Sequence, residues 1–216
     1  MHVRQMLAIA HRAGNSVDRL REALDAGVDL VEADVQALDG RVEVRHHRHL
    51  FGSPYVWDGG WRPSRRPPVL ELGTVLDALG ADARLMLDLK GDDMAFAQQV
   101  ADVLSHHAPG RALTVCTRSW DLLDVFPTPV RRVLSAGNRL ELARLRHRLT
   151  TEHVDGVSVR LGLLSPAVIA DLHGGTDLVM AWSVDSAAGL AKARRVGADG
   201  VISKNLALLG QLMVAG

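Results

Sequence analysis

Short apolar runs alternate with segments whose apolar residues recur at helical spacing, almost to the end of the chain. The runs at 7–10, 30–35, 85–89, 113–117, 130–134, 156–159, 178–182 and 200–203 read as strands. The segments at 16–26, 69–79, 94–107, 120–125, 139–148, 166–173, 187–196 and 206–214 read as helices. Ser16 and Ser165 stand at N-cap positions, with Pro166 at a first helical position. Gly27 and Gly197 follow helices, where a left-handed closing residue is wanted. Eight strands and eight helices in alternation predict a (β/α)8 TIM barrel occupying residues 1–216 as one domain. An open doubly wound sheet is the rival architecture. The number of repeats favours closure, and the first and last strands both end in polar residues, as a shared rim requires.

One segment departs from this alternation. Asp39-Gly40, flanked by alternating residues, is a hairpin signal, so a β-hairpin extension follows strand two. Val35 leads into the turn and Val42-Glu43-Val44-Arg45 leads back, which leaves Asp34 and His46 nearly equidistant from it. The ribbon therefore returns His46 to the rim beside Asp34. The stretch 47–68, rich in Gly, Pro, Arg and Trp, reads as an irregular loop over the barrel mouth.

The 216 residues are 47% hydrophobic and 23% charged, ample for a buried globular core. Basic and acidic residues number 25 each, and this balance argues against nucleic acid as a partner. Cys116 is the only cysteine, so no intrachain disulfide can form. The first apolar run is too short for a signal peptide, and none approaches the roughly 18–20 residues of a membrane span. A cytoplasmic protein is expected. No strongly basic amphipathic helix marks a membrane anchor, which leaves only transient membrane-lipid contact open.

Glu32 and Asp34 are two apart on a strand, so both side chains face the barrel interior near its C-terminal mouth. Two such carboxylates repel unless a proton or a cation lies between them. Asp88, near the end of the third strand, adds a third acid. Lys90 lies on the same face as Asp88, where it can hold an anion. Rim acids are commonly satisfied by arginines. Here three acids end neighbouring strands beside His11 and His46, which favours one divalent cation held by oxygen ligands, Mg²⁺ or Ca²⁺. Lone histidines are usually solvated or hydrogen-bonded in a core. His11 ends the first strand and His46 meets Asp34, so both reach one pocket and can divide acid and base roles.

The segments IAHRAG, AGVDLVEADV, DGRVEVRH, PPVLELGTVLDAL, LMLDLKG, MAWSVD and VGADGVIS resemble the glycerophosphodiester phosphodiesterase family, in family order and over nearly the whole chain. The resemblance implies a (β/α)8 barrel that hydrolyses glycerophosphodiesters to an alcohol and glycerol 3-phosphate. His11 and His46 look like its acid–base pair, and Glu32 and Asp34 like its metal-binding acids. Asp88 stands where the family has Glu, and Lys90 matches the lysine after it. Arg12 matches the arginine that contacts phosphate. Trp182 looks like the aromatic lining the alcohol pocket, with core packing as its plain alternative. The nucleophile implied is water or the substrate's own glycerol hydroxyl, through a cyclic phosphate. This chain departs from the pattern in four further places. Ala13 replaces Gly, Asn15-Ser16-Val17-Asp18 replaces a Pro-Glu-Asn-Thr segment, His47 replaces Asp, and Ser203-Lys204 replaces Thr-Asp.

Other readings remain open on the sequence. A lysophospholipase D would use the apolar loop 51–61, with Trp57 and Trp61 over an acyl chain. A Schiff-base aldolase would use Lys90. A non-catalytic phosphate-binding barrel would explain the lost Pro-Glu-Asn-Thr segment. In each reading the partner is a small molecule.

Overall fold

The computed structural model describes residues 6–38, 40–46, 48–49, 55–57, 64–65 and 68–213. Strand β1 (Leu7–Ala10) passes through a 3-10 turn, Ala13–Asn15, into α1 (Val17–Asp25). β2 (Leu30–Leu38) and β3 (Arg41–Val44) form a hairpin, and β4 (Arg48–His49), β5 (Tyr55–Trp57) and β6 (Ser64–Arg65) precede α2 (Leu72–Leu79). Then come β7 (Leu85–Leu89), α3 (Met94–His107), β8 (Thr114–Thr117), a 3-10 helix (Trp120–Val125), β9 (Arg131–Ala136) and α4 (Arg139–Arg148). The chain continues with β10 (Gly156–Arg160), a 3-10 turn (Leu161–Leu163), α5 (Pro166–Leu172) and β11 (Val179–Trp182). It ends with α6 (Ala187–Val196), β12 (Gly200–Ser203) and α7 (Leu206–Met213).

Parallel pairing runs in the order β1-β12-β11-β10-β9-β8-β7-β2. β2 returns to β1 through Ile9↔Leu30 and Ala10↔Val31, closing an eight-stranded barrel. That closure excludes the open doubly wound sheet. Inside, Ile9, Leu30, Met86, Cys116, Val133, Met180 and Ile202 pack together. On β10 the inward positions are small, Gly156 and Ser158. The alternate residues of each strand, such as Ala8, Val31, Leu87 and Val157, pack outward in the larger core shared with the helices.

Three aspartates that each precede a strand tie down the N-terminal end of the barrel. Asp29 accepts from the Ala8 N–H at 2.7 Å, Asp155 from Arg132 at 2.8 Å and Asp199 from Val179 at 2.8 Å. Each bridges two neighbouring strands, which assigns that end to stability and leaves the C-terminal end for chemistry.

Several local expectations are corrected. β2 runs to Leu38 rather than 35, because its ladder with β3, Val35↔Val44 through Leu38↔Arg41, satisfies the backbone beyond the rim. α2 begins at Leu72, not 69, because Leu70 accepts from Val44 N–H at 2.7 Å and Glu71 bridges to Glu43, holding that segment extended. Residues 120–125 form a 3-10 helix, because Pro127 bars the preceding residue from the α region and leaves too little chain for a full α-helix. Ser16 makes no side-chain cap, whereas Ser165 accepts from Val168 N–H at 3.3 Å with Pro166 following. The described part of 47–68 is an antiparallel β4-β5-β6 sheet rather than an irregular loop. Gly27 and Gly197 have the expected positive φ, 83° and 84°. Val214 lies outside the described residues, among which no helix is long and apolar enough to cross a membrane.

Gly14 sets how closely the first 3-10 turn approaches β2. A Cβ there would lie 2.6 Å from Ala33 Cβ and 3.1 Å from the Glu32 carbonyl oxygen. Gly14→Ala must push the turn off the strand that carries Glu32 and Asp34. The expected cost is about 1–3 kcal/mol, measured as a lowered midpoint in urea unfolding.

Candidate active site

β1, β2, β3 and β7 bring the predicted residues to the C-terminal mouth. Glu32 and Asp34 are buried, at 3% and 0% exposure, so neither charge is solvated. The register Asp34↔Asp88 sets the third acid beside them. Each of Glu32, Asp34 and Asp88 offers an oxygen within 4.8 Å of the others'.

Lys90 neutralises part of this charge. Its Nζ lies 2.8 Å from Asp34 Oδ1 and contacts Asp88 Oδ2. Burial works to lower the Lys90 pKa, but the carboxylates of Asp88, Asp34 and Glu32 push it above its ordinary value. Burial opposes ionisation of Asp34 as well, yet hydrogen bonds from His46, Lys90 and Asn15 hold it well below the usual carboxylate range. Burial, then repulsion from Asp34 and Asp88, pushes Glu32 well up. Burial likewise raises Asp88 against the pull of Lys90. Lys90 and the Arg12 guanidinium offset only part of the charge of three crowded acids, so ionisation of Glu32 and Asp88 is disfavoured. An all-oxygen donor set in that condition fits a hard divalent cation.

The histidines flank the trio. His11 Nε2 is 3.9 Å from Glu32 Oε2. Burial and the Arg12 guanidinium lower the His11 pKa from 6.5 to about 4, so the ring is neutral above mildly acidic pH. His46 Nδ1 is 3.4 Å from Asp34 Oδ1, and its Nε2 is 2.7 Å from Arg12 Nη2. Arg12 can only donate, so Nε2 accepts and the His46 proton sits on Nδ1, facing Asp34. Arg12 itself is left-handed at φ 58°, an uncommon conformation for a side-chain-bearing residue. Its N–H donates to Glu32 Oε2 at 2.5 Å, and its Nε lies 3.5 Å from Asp34 Oδ2.

No family model and no curated protein matches the sequence. Solved structures do match. A phosphodiesterase from Oleispira antarctica, in complex with the product sn-glycerol-3-phosphate, superposes with a TM-score of 0.75 at 18% identity, over 96% of each chain. The Thermotoga maritima glycerophosphodiester phosphodiesterase gives 0.72 at 19% identity, over 98% of this chain and 100% of that one. The Parabacteroides distasonis enzyme of the same name gives 0.76 at 17%, over 98% of both chains. The chain has the fold of the glycerophosphodiester phosphodiesterases.

Three of the places where the sequence departs from the glycerophosphodiester phosphodiesterase pattern have visible roles here. Asn15, in the shortened loop, was not expected to serve the site. It donates to Asp34 Oδ2 at 2.7 Å and accepts from the Asp34 N–H at 2.8 Å, fixing that carboxylate from both ends. Asp88, a methylene shorter than Glu, still joins the trio. Ser203 Oγ donates to Asp185 at 3.3 Å, and the Lys204 N–H donates to the same oxygen at 2.7 Å. His47 lies outside the described residues, as do the side chains of Trp57 and Trp61.

A second unforeseen pair supports the returning ribbon. Glu43 and Arg45 are buried and ion-paired, while Arg45 N–H donates to the Asp34 carbonyl at 2.8 Å and Arg45 O accepts from Gln36 Nε2 at 2.8 Å. These bonds seat His46. Trp182 lies apart from the trio, on β11, packed on the barrel interior. Cys116 is free and buried, and burial raises its pKa so that it stays a thiol.

Lys90→Met tests the internal counter-ion. With no divalent ion present it leaves the carboxylates without their ammonium, and a loss of about 1–3 kcal/mol is expected, less than for a fully buried pair because Lys90 is partly exposed. Thermal unfolding in chelator checks this. Added Mg²⁺ or Ca²⁺ should restore more stability to the variant than to the wild type.

Proposed function

We propose that this barrel, one domain over residues 1–216, hydrolyses a glycerophosphodiester to an alcohol and glycerol 3-phosphate. The observation that carries the reading is the meeting of His11 and His46, from β1 and the returning ribbon, with the Glu32, Asp34 and Asp88 carboxylates at one mouth. The comparison fold with bound sn-glycerol-3-phosphate supports the same product class.

Glu32, Asp34 and Asp88 would hold Mg²⁺ or Ca²⁺, which supplies Lewis-acid polarisation of the phosphoryl oxygens when bound. His11, held neutral, takes the proton of the attacking hydroxyl, whether water or the substrate's glycerol hydroxyl. When the substrate phosphate draws the Arg12 guanidinium off His46 Nε2, that nitrogen takes up a proton from solvent and delivers it to the departing alcohol oxygen, with Asp34 behind Nδ1 to stabilise the imidazolium. Arg12, with Lys90, then lends positive charge where the phosphorus centre gathers negative charge. Trp182 walls the mouth on the opposite side.

The aldolase reading gains nothing from Lys90, whose amine is kept protonated by three carboxylates and so is no nucleophile. A lysophospholipase D would need a cover for the acyl chain, and 51–61 lies largely outside the described residues. The deciding assay is a panel of glycerophosphodiesters and lysolipids with several divalent ions. Hydrolysis of glycerophosphodiesters that stops on chelation is expected. Ion-independent turnover, or binding of glycerol 3-phosphate without hydrolysis of any diester, would overturn the reading.

A further inference from the structure

Across the mouth from the carboxylates, the rim offers an exposed arginine and an indole N–H that lacks an acceptor. In the closed strand order, three strands separate β10 from β2 in either direction, so the C-terminal end of β10 faces Glu32 and Asp34. Val157 and Val159 pack outward, whereas a Cβ on Gly156 would meet Leu178 and Val133 of the interior. Ser158 and Arg160 therefore share the inward face, and Arg160, exposed at the strand end, stands at the mouth. It is in register with Trp182.

Trp182 and Arg118 converge beside it. A Cβ on Gly137 would lie 3.2 Å from Trp182 Cη2 and 3.5 Å from Arg118 Cζ. The Trp182 Nε1–H is buried with no hydrogen-bond partner among the described residues. An indole N–H can only donate, so what it lacks is an acceptor. Lys204 lines a separate cavity with His11, and Glu22 stands in the same cavity. Glu141 is engaged with Arg118, and Asp185 with Ser203 and the Lys204 N–H. Among the described residues Arg160 makes no ion pair with a carboxylate.

We propose that the diester this site takes carries a second anionic group, a carboxylate or a further phosphate, bound by Arg160 and the Trp182 N–H. The inference rests on the phosphodiesterase reading and narrows its substrate class. An ammonium alcohol would find the Trp182 face, but in the field of Arg160 and with no acceptor to offer the indole N–H. An anion satisfies the orphan donor and the unpaired Arg160 together.

The test compares kcat/KM for 1,3-bis(sn-glycero-3-phospho)glycerol and sn-glycero-3-phosphocholine, in wild type and in Arg160→Glu, with Mg²⁺ or Ca²⁺ present. Calorimetric binding of each diester is measured alongside. Arg160 is exposed at a strand end, so both proteins should fold; Arg160→Ala is the milder control. Wild type should prefer the bis-diester by about tenfold beyond the twofold excess of scissile bonds, narrowing as salt is raised. Arg160→Glu should abolish or invert the preference, chiefly through KM. Equal or better use of the choline diester by wild type, or a preference that survives Arg160→Glu, overturns the proposal. If neither diester is hydrolysed, the phosphodiesterase reading falls. Binding then decides: a preference for the bis-diester lost in Arg160→Glu sustains the anion site, and equal binding or none overturns it.

Discussion

Alanine at His11 or at His46 is expected to lower kcat by about 10²–10⁴-fold, the usual worth of one positioned acid or base. The barrel should stay folded, because neither ring belongs to the packed interior. His11 Nδ1 makes no hydrogen bond that its loss would leave unmet. The His46 segment is seated by the backbone of Arg45 rather than by the imidazole. Circular dichroism and a retained cooperative unfolding transition would establish this.

The two variants should then separate by leaving group. His46 has Asp34 behind it and faces a departing oxygen in our assignment, so it matters most when that oxygen is a poor leaving group. From a p-nitrophenyl diester the leaving group, p-nitrophenolate, departs without needing a proton. His46→Ala should therefore recover much of its activity on that substrate, whereas His11→Ala should not, because attack still needs a base. Equal recovery in both would undo the division of roles. Wild-type turnover in either would remove that histidine from the mechanism.

The sequence carried the barrel because its period is simple. Strands buried on both faces read as unbroken apolar runs, and eight of them alternate with helices, so topology followed from counting. The hairpin was legible through Asp39-Gly40, and with it the return of His46 to Asp34. What was not legible depended on tertiary contact. The start of α2 was misread because Leu70 and Glu71 have helical neighbours in sequence but a β3 partner in space. Asn15 was passed over because its importance appears only when the first turn closes over β2, to which Gly14 brings it. Arg12 and Lys90 have the charge of phosphate binders, but their contacts with Asp34, Asp88, Glu32 and His46 are set by strand register, which no local pattern states.

Asp34→Asn should have the other large effect, because so many groups depend on that one carboxylate. It accepts from Asn15, lies 2.8 Å from Lys90 Nζ, 3.4 Å from His46 Nδ1 and 3.5 Å from Arg12 Nε. The amide keeps the shape and loses the charge. In the proposed site the cation would lose one of three carboxylate ligands, and turnover should fall by about 10³-fold or more, since charge stabilisation and the placement of His46 go together. Calorimetric titration should show divalent affinity reduced by about 10–100-fold or beyond. The metal-free protein should lose about 3–5 kcal/mol at neutral pH, the usual cost of removing one partner of a buried pair. That loss carries its own pH signature. The Asp34 pKa is depressed on folding, so its contribution is present above the ordinary carboxylate value of 3.8 and fades as pH falls below it. Unfolding curves of the two proteins in chelator should therefore lie furthest apart at neutral pH and converge below about pH 4. A separation that stays constant through that range would mean that Asp34 stabilises the fold by shape alone, and unaltered divalent affinity in Asp34→Asn would take the cation away from this trio.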